Sequence, residues 1–147
     1  MKKVTLFLLL LVASINTIAQ TEIEPIQVIF NCDGSKVTLK TAKTEGVKQT
    51  NTINVEAIFS KSELSKLNSP TISFEFKWYY FMSTKKTLMG TNLVNVNISE
   101  ANKDGLIKVL CEKKNTRQGW WEVQIRCKTN DSQILFAGTK EYQILLK

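Results

Sequence analysis

Histidine is absent from all 147 residues. That absence removes the commonest general base, the commonest metal ligand and every Ser-His-Asp or Cys-His arrangement. Cysteine is limited to Cys32, Cys111 and Cys127, with no C-x-x-C pair. A tetrahedral zinc set is therefore not expected, and a catalytic thiol would lack an activating base. The only prolines are Pro25 and Pro70, and no repeat, low-complexity tract or Pro/Gly-rich linker divides the chain. The six glycines form no phosphate-binding loop, EF-hand or nucleophile elbow. The thirteen acidic residues are scattered, and no spacing picks out the facing pair a glycosidase needs. Glu56, Glu75 and Glu122 fall in the middle of strand-like stretches and read as ordinary surface charge. The expectation is a protein that is not an enzyme and that carries no metal or other cofactor.

One long apolar run is present, at the start. Lys2 and Lys3 precede Val4–Ala13, and then come Ser14, Asn16, Thr17, Ala19 and Gln20. Basic, apolar and small-residue regions in this order are those of a secretory signal peptide. Cleavage is expected after Ala19 or Gln20, so residues 1–20 read as a cleaved signal and 21–147 as one mature domain. The run is about half the length a transmembrane helix needs, so no membrane span is expected once the signal is removed. The first cysteine, Cys32, lies too far downstream for lipid attachment. The mature protein is expected in the periplasm or outside the cell.

Export changes the meaning of the rest of the composition. Lys2 and Lys3 leave with the signal, so 18 basic residues face 13 acidic ones and the mature charge is +5. That surplus is spread along the chain, densest at Lys85–Lys86 and at Lys113–Lys114 with Arg117. It forms no stripe or module of the kind nucleic-acid binders show, and a nucleic-acid partner is not expected. Outside the cytoplasm a disulfide can persist. Either one bridge plus one buried thiol, or three buried thiols, would suit three cysteines.

Most of the remaining sequence alternates with period two, the pattern of half-buried strands. Ile26, Val28 and Phe30 lead to an Asp33-Gly34 turn, a hairpin signal. Val37, Leu39 and Thr41 continue the alternation, and a polar loop at roughly Lys43–Gln49 precedes Ile53, Val55, Ala57 and Phe59. Ser60–Leu67 is the one helical candidate, a short crossover stopped by Pro70. Ile72, Phe74, Phe76, Trp78 and Tyr80 form the strongest strand face. Leu88–Ile98 follows, with Gly90 marking a bulge or bend. Ile107, Val109 and Cys111 and then Trp121, Val123, Ile125 and Cys127 read as a hairpin from Leu106 to Lys128. Asn130–Ser132 turns the chain into a last stretch, Ile134–Leu146, interrupted by Gly138. The fold class is therefore all-β, about 7–9 strands with one short helical crossover, in an antiparallel sandwich or small barrel. In the Leu106–Lys128 hairpin, Cys111 and Cys127 would lie well over ~10 Å apart along the strands, beyond disulfide reach. Cys32 should then be one end of any bridge, with Cys127 slightly favoured as the other.

Three blocks have a further likeness: Phe76-Lys77-Trp78-Tyr79, Gly119-Trp120-Trp121-Glu122-Val123-Gln124-Ile125, and Ile134–Gly138 with Tyr142-Gln143-Ile144. From about Thr71 to the end the chain resembles small immunoglobulin-like β-sandwich modules of bacterial envelope proteins. The doubling of Trp120 and Trp121 leaves open which of them holds the buried position. The Ile-Ala-Gln signal ending and the Lys/Asn/Ile-rich usage resemble secreted proteins of Bacteroidetes. The resemblance implies an immunoglobulin-like sandwich and, because such a fold hosts many activities, names no chemistry.

Trp78 and Trp121 fall on apolar faces and read as core. Tyr79 and Phe81 share the opposite face of their strand with Glu75 and Lys77, and Trp120 shares its face with Glu122, Gln124 and Arg126. Aromatics beside charges are how many contact surfaces look. Tyr79, Phe81 and Trp120 are thus the candidate surface of a non-catalytic binding or assembly module, whose partner would be a protein or glycan of the cell envelope. The alternative is a secreted enzyme inhibitor acting through a loop at one end of the sandwich, with Lys113–Gln118 as that loop.

Overall fold

The computed structural model describes residues 23–129 and 140–147. The signal at 1–20, the Asn130–Ser132 turn and Gly138 lie outside them. Eight strands form two four-stranded sheets. One has the order β2-β1-β3-β6 and the other β5-β4-β7-β8. The strands are β1 (Gln27–Cys32), β2 (Ser35–Val37), β3 (Thr52–Ser60), β4 (Thr71–Met82), β5 (Lys85–Asn97), β6 (Leu106–Lys114), β7 (Gly119–Thr129) and β8 (Lys140–Leu146). Every pairing between them is antiparallel. The expected all-β class is therefore the observed one, with the two sheets facing each other as in a sandwich.

The alternation in the sequence shows why two layers form. Ile53, Val55, Ala57 and Phe59 of β3 are buried, as are Ile72, Phe74, Phe76 and Trp78 of β4. The two sets meet in one core, where the Phe59 and Phe74 rings lie 4.7 Å apart between centroids. Trp121, Val123, Ile125 and Cys127 of β7 add to the same layer. Burying a side chain of this size stabilises by about 1.5–3 kcal/mol, so both sheets need this contact. The Asp33-Gly34 turn joins β1 to β2 with both residues at positive φ (49° and 80°), the backbone a two-residue type I′ hairpin requires.

Two expectations are corrected. Val37, Leu39 and Thr41 do not share a strand: β2 stops at Val37 and a helix α1 (Leu39–Thr44) follows. Leu39 and Ala42 are three apart, which suits a helix as well as the alternation suits a strand. The Thr38 hydroxyl decides by accepting the Thr41 N–H at 3.2 Å as an N-cap. Ala42 is then fully buried against the core. Among the described residues there are thus two short α-helices, the second being the expected crossover α2 (Lys61–Ser65), with Leu64 and Leu67 buried.

The second correction concerns the Leu106–Lys128 hairpin. β6 pairs with β3, and β7 pairs with β4 and β8, so the two strands lie in different sheets. The connecting loop is an arch rather than a hairpin turn. Thr116, midway along it, is held to the residues before β3 by its N–H on the Asn51 carbonyl (3.1 Å) and its hydroxyl on the Thr50 carbonyl (2.6 Å). Inward residues of both strands still reach one core, but from opposite sides. The strand-spacing argument against a Cys111–Cys127 bridge therefore falls away.

Two rings staple the arch. The Trp121 indole N–H donates to the Arg117 carbonyl at 2.8 Å, and the Tyr80 hydroxyl donates to the Gln118 carbonyl at 2.7 Å. Gly119 follows at φ +126°, and a Cβ there would fall 2.6 Å from the Tyr80 hydroxyl oxygen. Gly119→Ala combines backbone strain with loss of that hydrogen bond. It should lower stability by about 2 kcal/mol, read as a lower urea midpoint.

Candidate functional site

Antiparallel register decides what lies together on the outer face of the β5-β4-β7-β8 sheet. Phe81 is opposite Lys86 on one side and Trp120 on the other, and Trp120 is opposite Leu145. One row along, Tyr79 is opposite Leu88 and Glu122, and Glu122 is opposite Gln143. The three residues singled out in the sequence, Tyr79, Phe81 and Trp120, are therefore neighbours on a single face. Trp120 is 37% exposed, and Tyr79 and Phe81 are half-buried. The doubled tryptophan is resolved by the pleat: Trp121 points into the core and Trp120 out of it.

The same face holds a polar cluster that the sequence did not reveal. Glu122 is only 1% exposed although it sits on the outer side of its sheet. Lys86 reaches across from β5 and forms an ion pair with it. Gln124 and Gln143 each donate to a Glu122 oxygen at 3.2 Å. Gln124 also donates to Glu141 at 2.9 Å, and Glu141 lies 3.4 Å from Lys86. The Lys86 ammonium stands 4.6 Å from the centroid of the Tyr79 ring and 5.9 Å from that of Phe81, within cation–π range. Partial burial pulls the Lys86 ammonium down from its ordinary value, but the hydrogen bond and charge of Glu122, with Glu141 behind, outweigh it and the net shift is upward.

Glu122 is thus corrected from surface charge to buried anchor. Glu75, 8% exposed and 3.6 Å from Lys77, is also buried, while Glu56 is half-buried beside Lys108 at 3.4 Å. Tyr79 lies directly opposite Glu122 across the strands, and Lys86 supplies the carboxylate's charge partner.

Beside this cluster lies an open groove of about 330 Å³, lined by Lys43, Phe81, Ser83, Trp120 and Gln143. Lys43 comes from the last turn of α1, where alternation alone predicts strand and loop. A larger groove of about 550 Å³ runs between the start of β1, the β2–α1 junction and Tyr142. Burial and the nearby Glu24 carboxylate push the Tyr142 hydroxyl up. None of the three predicted aromatics lines it.

Cys32, Cys111 and Cys127 are free thiols, all buried. Burial pushes Cys32 and Cys111 up to about 11, with Asp33 and Glu112 respectively adding to the effect, and Cys127 up to about 12. Trp78 opposes part of the rise at Cys111. Thiols held this firmly protonated are poor nucleophiles. The Lys113–Gln118 loop is anchored at its centre by Thr116, which is 5% exposed. Among the described residues no helix is long and apolar enough to cross a membrane, and no three His, Cys, Asp or Glu side chains are grouped as a metal site would need. No family model and no curated protein matches the chain.

Proposed function

We propose that the protein is a non-catalytic binding module exported to the periplasm or cell surface, and that the outer face of the β5-β4-β7-β8 sheet takes a glycan. The observation that carries this reading is the open groove at Phe81 and Trp120, completed by Lys43, Ser83 and Gln143, the last of which also donates to Glu122. Sugars offer apolar C–H faces that stack on aromatic rings, and hydroxyls that pair with amides and ammonium groups. Trp120 and Phe81 supply the first, and Gln143, Ser83 and Lys43 the second. A groove of this size admits one or two sugar rings and stays open to a longer chain.

The strand order supports reading the sandwich as immunoglobulin-like. Taken as A, B, C, C′, E, F and G, strands β1, β3, β4, β5, β6, β7 and β8 give sheets A-B-E and C′-C-F-G, with β2 added beside A. Trp78 then occupies the buried tryptophan position of strand C. Trp121, bonded to a carbonyl four residues upstream at the start of F, takes the place of the corner tyrosine. Strand F carries Cys127, but strand B carries no cysteine, so the usual B–F disulfide has no second half.

The test is an array of bacterial-envelope and host glycans probed with the mature chain and with Trp120→Ala. Binding by the parent and at least a tenfold loss in the variant are expected. The partly exposed Trp120 should cost about 1 kcal/mol of stability or less. Equal binding by the two proteins would refute the site. Capture of a protein partner, with no glycan bound, would refute the ligand class.

A further inference from the structure

A sandwich of two open sheets has four margins, and three of them are guarded. β2 is only three residues long. β6 carries Lys108, Glu112, Lys113 and Lys114 along its nine residues. The margin at β8 is covered by the chain after α1: Val47 donates to the Leu145 carbonyl at 2.7 Å, and Lys147 and Gln49 continue the parallel pairing at 2.8 and 2.9 Å. These are the devices by which natural sheets avoid pairing edge to edge.

β5 is different. It is 13 residues long, and among the described strands it pairs with β4 alone. From Thr87 to Asn97 it has no charged residue and no proline. A bulge opposite Trp78 and Tyr79 interrupts it, and from Gly90 to Asn97 the pairing is regular. Leu93 projects from the outer face and is 66% exposed, the most exposed large apolar side chain in the described structure.

The hydrogen-bond phase shows which backbone groups are on offer. The Ile98 N–H donates to the Pro70 carbonyl at 2.9 Å. Antiparallel pairs alternate between bonded and non-bonded, so Val96, Val94 and Asn92 turn their backbone groups toward β4. Asn97, Asn95, Leu93 and Thr91 turn theirs away, to the open side. The strand thus presents a straight run of donors and acceptors with an exposed leucine at its middle.

We propose that β5 pairs antiparallel with β5 of a second copy of this chain, across a two-fold axis at Leu93. Antiparallel pairing of one strand with itself is self-complementary, as a two-fold interface must be. Centred on Leu93, it sets the two leucines side by side and Thr91 opposite Asn95 at both ends. It also brings Lys85 and Lys86 of each copy beside the Ile98–Glu100 turn of the other, so unlike charges meet twice. A parallel arrangement would set lysine against lysine. The product is one continuous eight-stranded sheet, whose outer face carries both Trp120 grooves.

Sedimentation equilibrium of the mature chain tests this. The parent should have twice the monomer mass at tens of micromolar. Leu93→Lys and Leu93→Glu each place like charges across the axis, and each should weaken the dimer at least tenfold without altering the circular dichroism spectrum, because the side chain is exposed. A one-to-one mixture of the two variants should restore the dimer. A monomeric parent at 100 µM (on the order of the weakest association of interest) would overturn the proposal. A dimer indifferent to both substitutions would also overturn it. Neither readout involves Trp120 or a glycan, so the result stands apart from the glycan-binding reading.

Discussion

Raising the pH from about 8.5 to 11 should unfold the protein. The cause is the three buried thiols. In the unfolded chain a cysteine releases its proton near pH 8.5. In the folded chain Cys32 and Cys111 hold theirs to about 11 and Cys127 to about 12, because burial disfavours the thiolate. A folded-state value raised above the unfolded one gives stability that is complete below the unfolded value and is lost as pH climbs toward the folded one. Each thiol then removes about 1.4 kcal/mol per pH unit. With all three acting between about pH 9 and 11, the loss is on the order of 4 kcal/mol per unit, against a typical total of about 5–15 kcal/mol. Tyr142, held up by burial and Glu24, and Lys86, held up by Glu122, lose their contributions in the same direction at higher pH.

Urea midpoints measured from pH 7 to 11 check this, and a curve that stays flat to pH 11 would sink it. Cys127→Ala should reduce the slope by about one third, since one of the three thiols is gone. The same experiment bears on the cysteine pairing in an oxidising compartment. Unfolded in guanidinium without reductant, the chain should yield three titratable thiols. A Cys32–Cys127 bridge would leave one, and the alkaline slope would shrink to that of Cys111 alone.

The layers were legible in the sequence because alternation reports which residues seek a core. The inward sets of β3, β4 and β7 could be read residue by residue, and so could the bulge at Gly90. Pairing partners were not legible. Leu106–Lys114 and Gly119–Thr129 have the pattern of a hairpin, and the same pattern serves two strands that face each other across a sandwich. What separates the cases is the pair of contacts made by Thr116 with Thr50 and Asn51, residues distant in sequence. Helix α1 was missed for a related reason: Leu39, Thr41 and Ala42 satisfy both periods, and a single capping hydroxyl decides between them.

The candidate face divides along the same line. Tyr79, Phe81 and Trp120 could be placed on outward positions from the pleat alone. That Phe81 lies opposite Trp120, and that Lys86 reaches Glu122, depends on the β4–β7 and β4–β5 registers. Lys86 read as part of a dispersed basic surface, and Glu122 as one of several strand carboxylates. Only cross-strand geometry makes them a pair, and burial falls on the Glu122 side of it.

Lys86→Met should destabilise the protein by about 3 kcal/mol near neutral pH. The variant keeps a carboxylate that is 1% exposed and removes the cation that neutralises it. The Gln124 and Gln143 amides still donate to Glu122, but they carry no net charge. Breaking a buried pair from one side costs about 3–5 kcal/mol, and the low end applies because the Lys86 side chain is 32% exposed and part of its own hydration is already in place. The double substitution Lys86→Met with Glu122→Leu should recover most of the loss at pH 7, because no uncompensated buried charge is left. Midpoints for the parent, the two single variants and the double variant complete a thermodynamic cycle. A coupling below about 0.5 kcal/mol would mean that the ion pair is held together by the fold and contributes nothing to it. A coupling of about 2 kcal/mol or more would place the strength of the outer face in the lysine that spans β5, β4 and β7, and would tie the tip of the β4–β5 hairpin to β7 beside the aromatic groove.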